Sequence, residues 1–369
     1  MGIVITEWDA VSPFGTGRDA FTEGLWSGAR PSTAPDPAPD PARGPAPDPR
    51  ACLVPGFSPK QALGAKGTRA MDRVTALAAV AVGRLLEGAG ADPAPDAPEQ
   101  TGLVLGTANG SLQSMTDFTR DSLEGARPFY VDPGRMPNTV MNCAAGQSAI
   151  RYGLRGPNAT VAGGRAAGLL AMSYQRRLLS RGRARRVVCG AAEEYSVARS
   201  WLEHHARPEG TEPVLLGEGC AVVLGDGAPA GPALAELLAV RSQVYLGDDP
   251  SEAVRQVVLR TLAAAGVAPG EVWAVSPSRP PGPAGDREEA SLAGLFDPAA
   301  LDRLPPLPFG DTGAASAAFQ LVSVLSALDR LPAAAGGAAV VSSVDREGTV
   351  ACAVLRLGEP RSAARRSRD

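Results

Sequence analysis

The sequence predicts a layered α/β fold made of two similar halves. Short apolar strands alternate with helical patterns along the 369 residues, and this alternation is typical of helices packed on mixed sheets. The same succession of strands and helices begins again after residue 228. We therefore expect one half at 1–228, a second half at 229–358, and a polar, basic, frayed tail at 359–369.

The first half opens with a β-branched strand from Gly2 to Thr6, a loop, and a helix over about 18–27. Residues 28–50 are so rich in proline that they can hold neither a helix nor an inner strand. We predict an exposed loop or a disordered insertion there. The other predicted elements of this half are a buried helix at 69–88, strands at 101–106 and 159–162, a helix at 165–180, and strands at 186–190 and 217–225.

The second half repeats the alternation and ends in a hairpin. Its predicted elements are strands at 234–240 and 272–276, helices at 251–265 and 312–328, and hairpin strands at 338–343 and 349–357. The hairpin turns through Asp345-Arg-Glu-Gly.

Composition narrows the class of protein. Apolar residues make up 44% and charged residues 20% of the chain, an ordinary globular balance that argues against long disorder. A net charge of −3 argues against nucleic-acid binding, and no apolar run reaches the roughly 20 residues that span a bilayer. The N-terminus has no secretory pattern, and five scattered cysteines are typical of reduced thiols, so we expect a cytoplasmic protein.

The chain has two histidines, His204 and His205, and they are neighbours. Any mechanism that needs two separated imidazoles is therefore excluded. The usual zinc sites are equally hard to build, since no C-x-x-C pair exists, and neither lysine completes a Walker pattern. We expect no metal, no cofactor, and a solvated position for the histidine pair.

The segment Arg155–Gly168 is the most informative about function. A strand at Ala159–Ala162 ends in Gly163-Gly164, and a helix begins at Arg165. A side chain on such a strand-to-helix elbow points into a cleft at the positive end of a helix, where a nucleophile or an oxyanion is stabilised. Arginine cannot act as a nucleophile, so the elbow has the architecture of a nucleophile site without the nucleophile.

Further motifs accompany the elbow in a fixed order. They are Ile3-Val-Ile-Thr with Ser12-Pro-Phe-Gly, Met71-Asp72-Arg73, Met136-Pro-Asn-Thr139, Gly153-Leu-Arg-Gly-Pro157, Gly217-Glu-Gly219 and Pro283-Ala-Gly-Asp286. In this order and spacing they resemble the β-ketoacyl-ACP synthase family of the thiolase fold, over nearly the whole chain. The resemblance implies two similar halves stacked as α-β-α-β-α layers with mixed five-stranded sheets.

In that family the elbow residue is a cysteine that takes the acyl chain, and two histidines support decarboxylation of the malonyl unit. The cysteine position falls on Arg165, the first histidine position on Ser278 and the second on Asp311. The family's glycine-rich loop becomes Ser343–Gly348. The resemblance therefore implies that every catalytic position is replaced, and the histidine count leads to the same conclusion.

A ketosynthase-like chain without its reacting groups resembles the chain-length factor of type II polyketide systems. Such a subunit forms a heterodimer with an active ketosynthase, and the chain carried by an acyl carrier protein grows in a tunnel near the interface. The better-known members carry glutamine at the position of Arg165. The resemblance thus implies a divergent branch, of a kind that makes polyene or other highly reduced chains.

Two hypotheses concern particular side chains. Arg165 and Asp311 carry opposite charges where two catalytic side chains converge in an active synthase, and a buried arginine is tolerable only when paired. We therefore expect Arg165 to form an ion pair, with Asp311 or another nearby carboxylate, that plugs the vestigial pocket. The family's pocket-and-interface region matches Asn109–Asn142, and the residues expected to form the tunnel floor or the interface are Leu112, Met115, Thr116, Phe118 and Met136.

Two other functions stay open at this point. An atypical acyltransferase or decarboxylase is one, with Cys143 as its candidate nucleophile, although small buried cysteines are usually structural. A homodimeric scaffold protein without a tunnel is the other. The six arginines between 176 and 186 indicate either a solvated helix end or a docking patch for an acidic partner such as the carrier protein.

Overall fold

The computed structural model describes residues 2–35, 45–48, 50–90, 97–207, 212–229 and 232–358. The strands are β1 (Ile3–Ser12), β2 (Gly15–Thr16), β3 (Thr33–Pro35), β4 (Arg50–Cys52), β5 (Thr101–Thr107), β6 (Asn158–Ala162), β7 (Arg186–Glu193), β8 (Leu216–Gly217), β9 (Gly219–Asp226), β10 (Ala235–Val244), β11 (Val272–Ser276), β12 (Ala338–Val344) and β13 (Thr349–Leu357). The helices are α1 (Arg18–Trp26), α2 (Pro59–Leu63), α3 (Arg73–Gly88), α4 (Leu112–Glu124), α5 (Cys143–Tyr152), α6 (Ala167–Ser180), α7 (Val197–His205), α8 (Ser251–Ala265), α9 (Pro283–Ala293), α10 (Pro298–Leu301) and α11 (Ser316–Ser326). Two 3-10 segments, Pro133–Thr139 and Gly164–Ala166, matter for the site.

The main sheet is mixed and has the strand order β11-β12-β13-β10-β1-β9-β7-β5-β6. The first half contributes the expected five strands, which lie in the spatial order β1-β9-β7-β5-β6. The second half contributes four strands among the described residues, in the order β11-β12-β13-β10. The two sets meet between β1 and β10 over three antiparallel pairs, from Ile3–Leu237 to Ile5–Ala235. Because β5, β6 and β7 run parallel, their carboxyl ends meet at one edge, where the elbow follows β6.

Helices form three layers around these two sets of strands. α3 and α5 pack on the outer face of the first set through an apolar cluster that contains Leu77. α6 and α11 lie between the two sets, where Met172 and Phe319 belong to the largest apolar cluster. α8 and α9 cover the second set with Val258 and Leu292. This order confirms the predicted α-β-α-β-α layering.

The expected boundary between the halves, at 228, falls between β9, which ends at Asp226, and β10, which begins at Ala235. The division into halves at that residue stays a prediction, and the tail 359–369 lies outside the described residues. Across the ranges that the structure describes, no helix is long and apolar enough to cross a membrane.

The described ends of the proline-rich segment 28–50 contain two short strands, β3 and β4, and most of the other described residues there are exposed or partly exposed. The assignment of the segment as a loop or insertion stays a prediction. β3 pairs antiparallel with β4, and β4 pairs parallel with β8. Asp48 is fully buried, and both of its carboxylate oxygens accept hydrogen bonds from Arg207, at 2.9 and 3.0 Å. Composition could not reveal these contacts, because the partners lie about 160 positions further along the chain. Residues 36–44 and 49 lie outside the described residues.

Five of the described helices were not predicted from the sequence: the short helices α2 and α10, and the longer helices α5, α7 and α9. α7 and α9 are mostly polar, so few apolar side chains mark their inner faces. In α9 a charged residue, Glu288, is among the three buried positions. Their helical state depends on packing against neighbours, which weak local patterns do not encode.

Candidate functional site

The elbow has the geometry that its sequence predicted. β6 ends at Ala162, and the chain passes through Gly163 and Gly164 to Arg165, just before α6 begins. Gly164 has a φ of +50°, and a Cβ there would collide with the carboxylate of Asp345. Only glycine fits both constraints. The turn therefore places Arg165 at the carboxyl end of the parallel strands and at the amino end of α6.

Arg165 is buried, with 8% of its surface exposed, and its guanidinium forms an ion pair with Asp311 through Nη1 and Oδ1. Nη2 donates a hydrogen bond to the backbone oxygen of Ser278, 3.3 Å away. The structure thus brings together the three positions that the resemblance aligned with catalytic residues. The expected Arg165–Asp311 ion pair is confirmed.

The backbone N–H of Arg165 is occupied as well. It donates to Oδ1 of Asp345 at 2.8 Å, and Asp345 is buried. A free amide at such a helix start is the kind of donor that stabilises an oxyanion. Here the chain's own carboxylates engage both the guanidinium and the amide, whereas Nε of Arg165 has no hydrogen-bond partner among the described residues.

Asp311 is held by several groups in addition to Arg165. Its backbone oxygen accepts from Nη2 of Arg199 at 2.9 Å, and Oδ1 accepts from the N–H of Gly313 at 2.8 Å. Burial alone would raise the pKa of this carboxyl, but Arg165, Arg199 and the Gly313 N–H together lower it below its usual value. Asp311 is therefore ionised at neutral pH and only accepts hydrogen bonds, so it cannot donate one as a histidine does.

Ser278 is engaged by a buried carboxyl group on α9. Its Oγ donates to Oε2 of Glu288 at 2.8 Å, and its N–H donates to Oε1 at 3.1 Å. Glu288 is fully buried and also accepts from Ser342 and from the N–H of Arg279. Burial raises the pKa of Glu288 in spite of these donors. Ser278 thus ties the segment after β11 to α9 and β12.

A cavity of about 70 Å³ remains beside Arg165 and Ser278, walled on its other side by residues 304–310. It has room for about two water molecules, which is too little for an acyl chain. Neither cysteine nor histidine is among its lining residues. The site therefore offers neither the thiol nor the imidazole pair that condensation in this type of pocket requires.

Cys143, the alternative nucleophile, is the first residue of α5 and is buried. Its Sγ lies 3.5 Å from Oδ1 of Asn138. Burial and the neighbouring carboxylate of Asp72 raise the pKa of the thiol above its usual value. Because the thiolate is the nucleophilic form, this surrounding disfavours a catalytic role.

The histidine pair lies exposed at the end of α7, as expected. Both rings contact Trp201, with centroids 5.8 Å apart for His204 and 5.5 Å for His205. No cluster of three or more His, Cys, Asp or Glu side chains suited to a metal ion occurs in the part of the chain that the structure describes.

The arginine-rich end of α6 is exposed, and one of its six arginines is paired. Arg186 forms an ion pair with Asp226 at 3.0 Å. The other five have no ion-pair partner among the described residues; they are Arg176, Arg177, Arg181, Arg183 and Arg185. Their role in docking stays a prediction.

The expected tunnel residues lie away from the elbow. Met136 is in the 3-10 segment 133–139, which packs against α4. The other four are on α4 itself: Leu112, Met115, Thr116 and Phe118. None of the five is buried in this chain, and Met115 and Met136 are 39% and 63% exposed. These residues could form the floor of a tunnel only with a second protein surface opposite them, so this role stays a prediction.

The same region concentrates exposed apolar side chains. Eight of the thirteen large ones among the described residues lie between 115 and 150: Met115, Leu123, Phe129, Tyr130, Met136, Val140, Met141 and Ile150. Beside them, β6 is the last strand of the sheet order, with α5 packed against it. Exposed apolar patches mark interaction surfaces, and an edge strand can pair with another chain. We call residues 112–162 the open face.

The fold and the elbow geometry can be compared with those of known protein families. Residues 2–224 match the family model of the β-ketoacyl synthase, N-terminal domain. The chain therefore belongs to the β-ketoacyl synthase family.

Individual relatives extend this result. A chain of the ishigamide ketosynthase/chain length factor has a TM-score of 0.93 and 48% identity, over 97% of this chain and 100% of that one. A structure of a type II PKS acyl-carrier protein in complex with its ketosynthase, bound to the hexaketide, has a TM-score of 0.77 over 96% of this chain and 99% of that one. Its 16% identity shows the fold alone.

Curated sequences match over shorter stretches. The ketoacyl synthase alpha subunit of the tetracenomycin polyketide synthase from Streptomyces glaucescens is 34% identical over 144 residues, which are 37% of this chain and 32% of that protein. The chain spans about half the length of the first curated relatives that it matches, which are 3-oxoacyl-(acyl-carrier-protein) synthases.

Sequence reasoning missed Asp345, Arg199 and Glu288, which complete the elbow region. Asp345 lies in Ser343–Gly348, the segment that aligned with the family's glycine-rich loop. A carboxylate at a position in this loop was the one sequence signal that could have identified Asp345 as part of the site. Arg199 and Glu288 lie in helices that were not predicted, and no local pattern marked them.

Proposed function

We propose that this chain is a non-catalytic chain-length factor. In this role it pairs with an active ketosynthase and shapes the tunnel that limits polyketide elongation on an acyl carrier protein. The observation that carries the proposal is the filled elbow, where Arg165 and Asp311 are paired beside a cavity too small for an acyl chain. The 48% identity to a chain of the ishigamide ketosynthase/chain length factor supports it.

The open face supports a heterodimer. Ile150 is 79% exposed on α5, next to the edge strand β6, and exposed apolar side chains of this size are costly in water. A partner sheet that extends β6 would cover both features. An active ketosynthase is the partner we propose, because this chain lacks the reacting groups and a subunit that retains them completes the enzyme.

The tunnel belongs to the same face in this proposal. The five residues Leu112, Met115, Thr116, Phe118 and Met136 line it or the interface, and the partner supplies the opposite wall. The carrier protein delivers the growing chain, and the exposed arginines at the end of α6 are candidates for contact with its acidic surface. The five cysteines are free thiols, in keeping with a reducing, cytoplasmic compartment.

Co-expression tests the heterodimer. The chain alone should be insoluble or unstable, and an active ketosynthase from the same system should rescue it as a one-to-one complex. Ile150→Asp should weaken that complex at least about tenfold, since it places a charge in the apolar contact. Leu246→Asp is the matched control, because Leu246 is 93% exposed but lies outside the open face.

Product analysis of the reconstituted complex tests the role in chain length. The ketosynthase with this chain and the carrier protein should release chains of one dominant length. Equal affinity of the Ile150→Asp and Leu246→Asp variants for the ketosynthase, or a product set independent of this chain, contradicts the proposal. Stoichiometric labelling of the isolated chain at Cys143 by iodoacetamide, with turnover, would instead support the acyltransferase alternative.

A further inference from the structure

Glu194 is the residue directly after β7, and it lies between α3, a buried helix, and α4, a helix with no buried residue. Glu194 is buried, with 2% of the residue exposed. α3, on one side, contributes twelve buried residues to the core, whereas α4, on the other side, contributes none. Glu194 therefore touches both a fixed core helix and the helix that carries four of the five proposed tunnel residues.

The two carboxyl oxygens divide between these helices. Oε2 accepts from the N–H of Val74 at 3.1 Å, and Oε1 accepts from Oγ of Ser111 at 3.1 Å and from the N–H of Gln113 at 3.5 Å. Val74 and Gln113 occupy the same position, the second residue, in α3 and α4. The N–H groups in the first turn of a helix have no hydrogen-bond partner inside that helix. The Glu194 carboxyl group therefore accepts from one such N–H group in each of the two helices.

Ser111 makes this link stronger, because it is the residue that caps α4. Its Oγ accepts from the N–H of Ser114 at 3.3 Å. One more polar contact holds the first turn: Oε1 of Gln113 accepts from the N–H of Ala198 in α7 at 3.2 Å. With no buried apolar residue of its own, α4 depends on such polar contacts for the position of its amino end.

We propose that Glu194 is a positioning residue that fixes the first turn of α4 and thereby sets the length of the chain that the tunnel accepts. The inference about chain length depends on the proposed function. A shift of α4 moves Leu112, Met115 and Thr116 together, so the tunnel end moves even when no tunnel side chain is changed. Buried polar groups that support a functional element usually act in this way.

Glu193 provides a matched control. It is the preceding residue, it is buried to a similar degree, and its Oε2 accepts from the N–H of Ala314 at 3.1 Å, on the side of the elbow. Loss of its carboxylate removes a buried hydrogen bond from the same strand end without touching α4. Glu194→Gln is the isosteric variant: its amide oxygen can accept from Val74 and its NH2 group can donate to Ser111, but that NH2 group cannot accept from the N–H of Gln113.

The experiment compares the wild-type, Glu194→Ala, Glu194→Gln and Glu193→Ala chains, each in complex with the ketosynthase. Product lengths are measured by mass spectrometry and amide hydrogen exchange is measured over residues 112–124. Glu194→Ala should raise the exchange of the first turn of α4 by about tenfold and shift or broaden the products by at least one extension unit. Glu194→Gln, which keeps the Val74 and Ser111 contacts but loses the acceptor for Gln113, should restore both in part, and Glu193→Ala should lower the melting temperature without altering either.

Unchanged exchange in α4 and unchanged product lengths in an active Glu194→Ala complex would overturn the inference. Should Glu194→Ala fail to fold, Ser111→Ala removes the contact from the α4 side, and the same two readouts apply. A wild-type complex without length-limited product contradicts the proposed function, whereas hydrogen exchange still decides whether Glu194 holds α4.

Discussion

The elbow pocket and the open face have opposite physical character within one chain. At the elbow, charged side chains are mostly buried and are bonded within the chain: Arg165 pairs with Asp311, and the buried Asp345 accepts from the N–H of Arg165. On the open face, apolar side chains such as Ile150 and Met136 are exposed and uncovered. A site whose main charged groups are paired within the chain has little left to offer a substrate, whereas an uncovered apolar surface gains from a partner. The difference supports the proposal that this chain acts through its shape and through a partner.

The largest expected effect comes from breaking the pair at the elbow. Asp311→Ala leaves the Arg165 guanidinium buried without its carboxylate, which should lower the free energy of unfolding by about 3–5 kcal/mol. Urea denaturation of the complex or of the rescued chain measures it. Glu99→Ala is the control, because its ion pair with Arg155 is exposed and the change should be undetectable. A loss below about 1 kcal/mol for Asp311→Ala would mean that the pair does not hold the pocket.

A pH-dependent effect of intermediate size is expected at Glu194, which lies between the two regions. Burial first, then Asp72 and Glu193, raise the pKa of Glu194 to about 8 from its ordinary 4.5, against the attraction of Arg73 and Arg199. Between these two pH values the folded chain keeps a proton that the unfolded chain has lost. The free energy of unfolding should therefore fall as pH rises through this window and level off above about pH 8.

The Glu194→Gln variant isolates this contribution. From about pH 6 to about pH 8 the wild type should lose up to about 1 kcal/mol per pH unit more stability than the variant. Burial also raises the pKa of Asp9, to about 7. Asp9 therefore lowers the free energy of unfolding with rising pH in both chains, and its contribution cancels when the two chains are compared. Parallel stability curves for the two chains would show that Glu194 titrates normally.

The smallest effect on stability is expected on the open face, at Met115. Since this side chain is 39% exposed, Met115→Ala should change the free energy of unfolding of the chain by no more than about 0.5 kcal/mol. In the complex with the ketosynthase the same change should lengthen the products, because it removes bulk where extension ends. Val244→Ala, exposed but outside the open face, should change neither quantity. Unchanged products would remove Met115 from the tunnel residues.

Much of the fold could be predicted because local patterns and global packing agree. α8 and β11 lie at the expected residues, and α3, with twelve buried positions, was expected to be buried. The sequence was uninformative where a segment's contacts depend on remote partners. Asp48 in the proline-rich segment is buried by contacts with Arg207, and the polar helix α9 is held through Glu288 and Ser278.

The sequence by itself determined that the elbow has no nucleophile, because residue identity alone excludes thiol chemistry at Arg165 and two adjacent histidines cannot fill two separate positions. Through the family resemblance it also predicted that Arg165 pairs with Asp311 or another nearby carboxylate, since a buried arginine requires a partner. Only the tertiary structure decided that Asp345 occupies the elbow amide, that Glu194 joins the first turns of two helices, and that the α4 region is uncovered. These depend on contacts between residues far apart in the chain, whose distances no local pattern encodes.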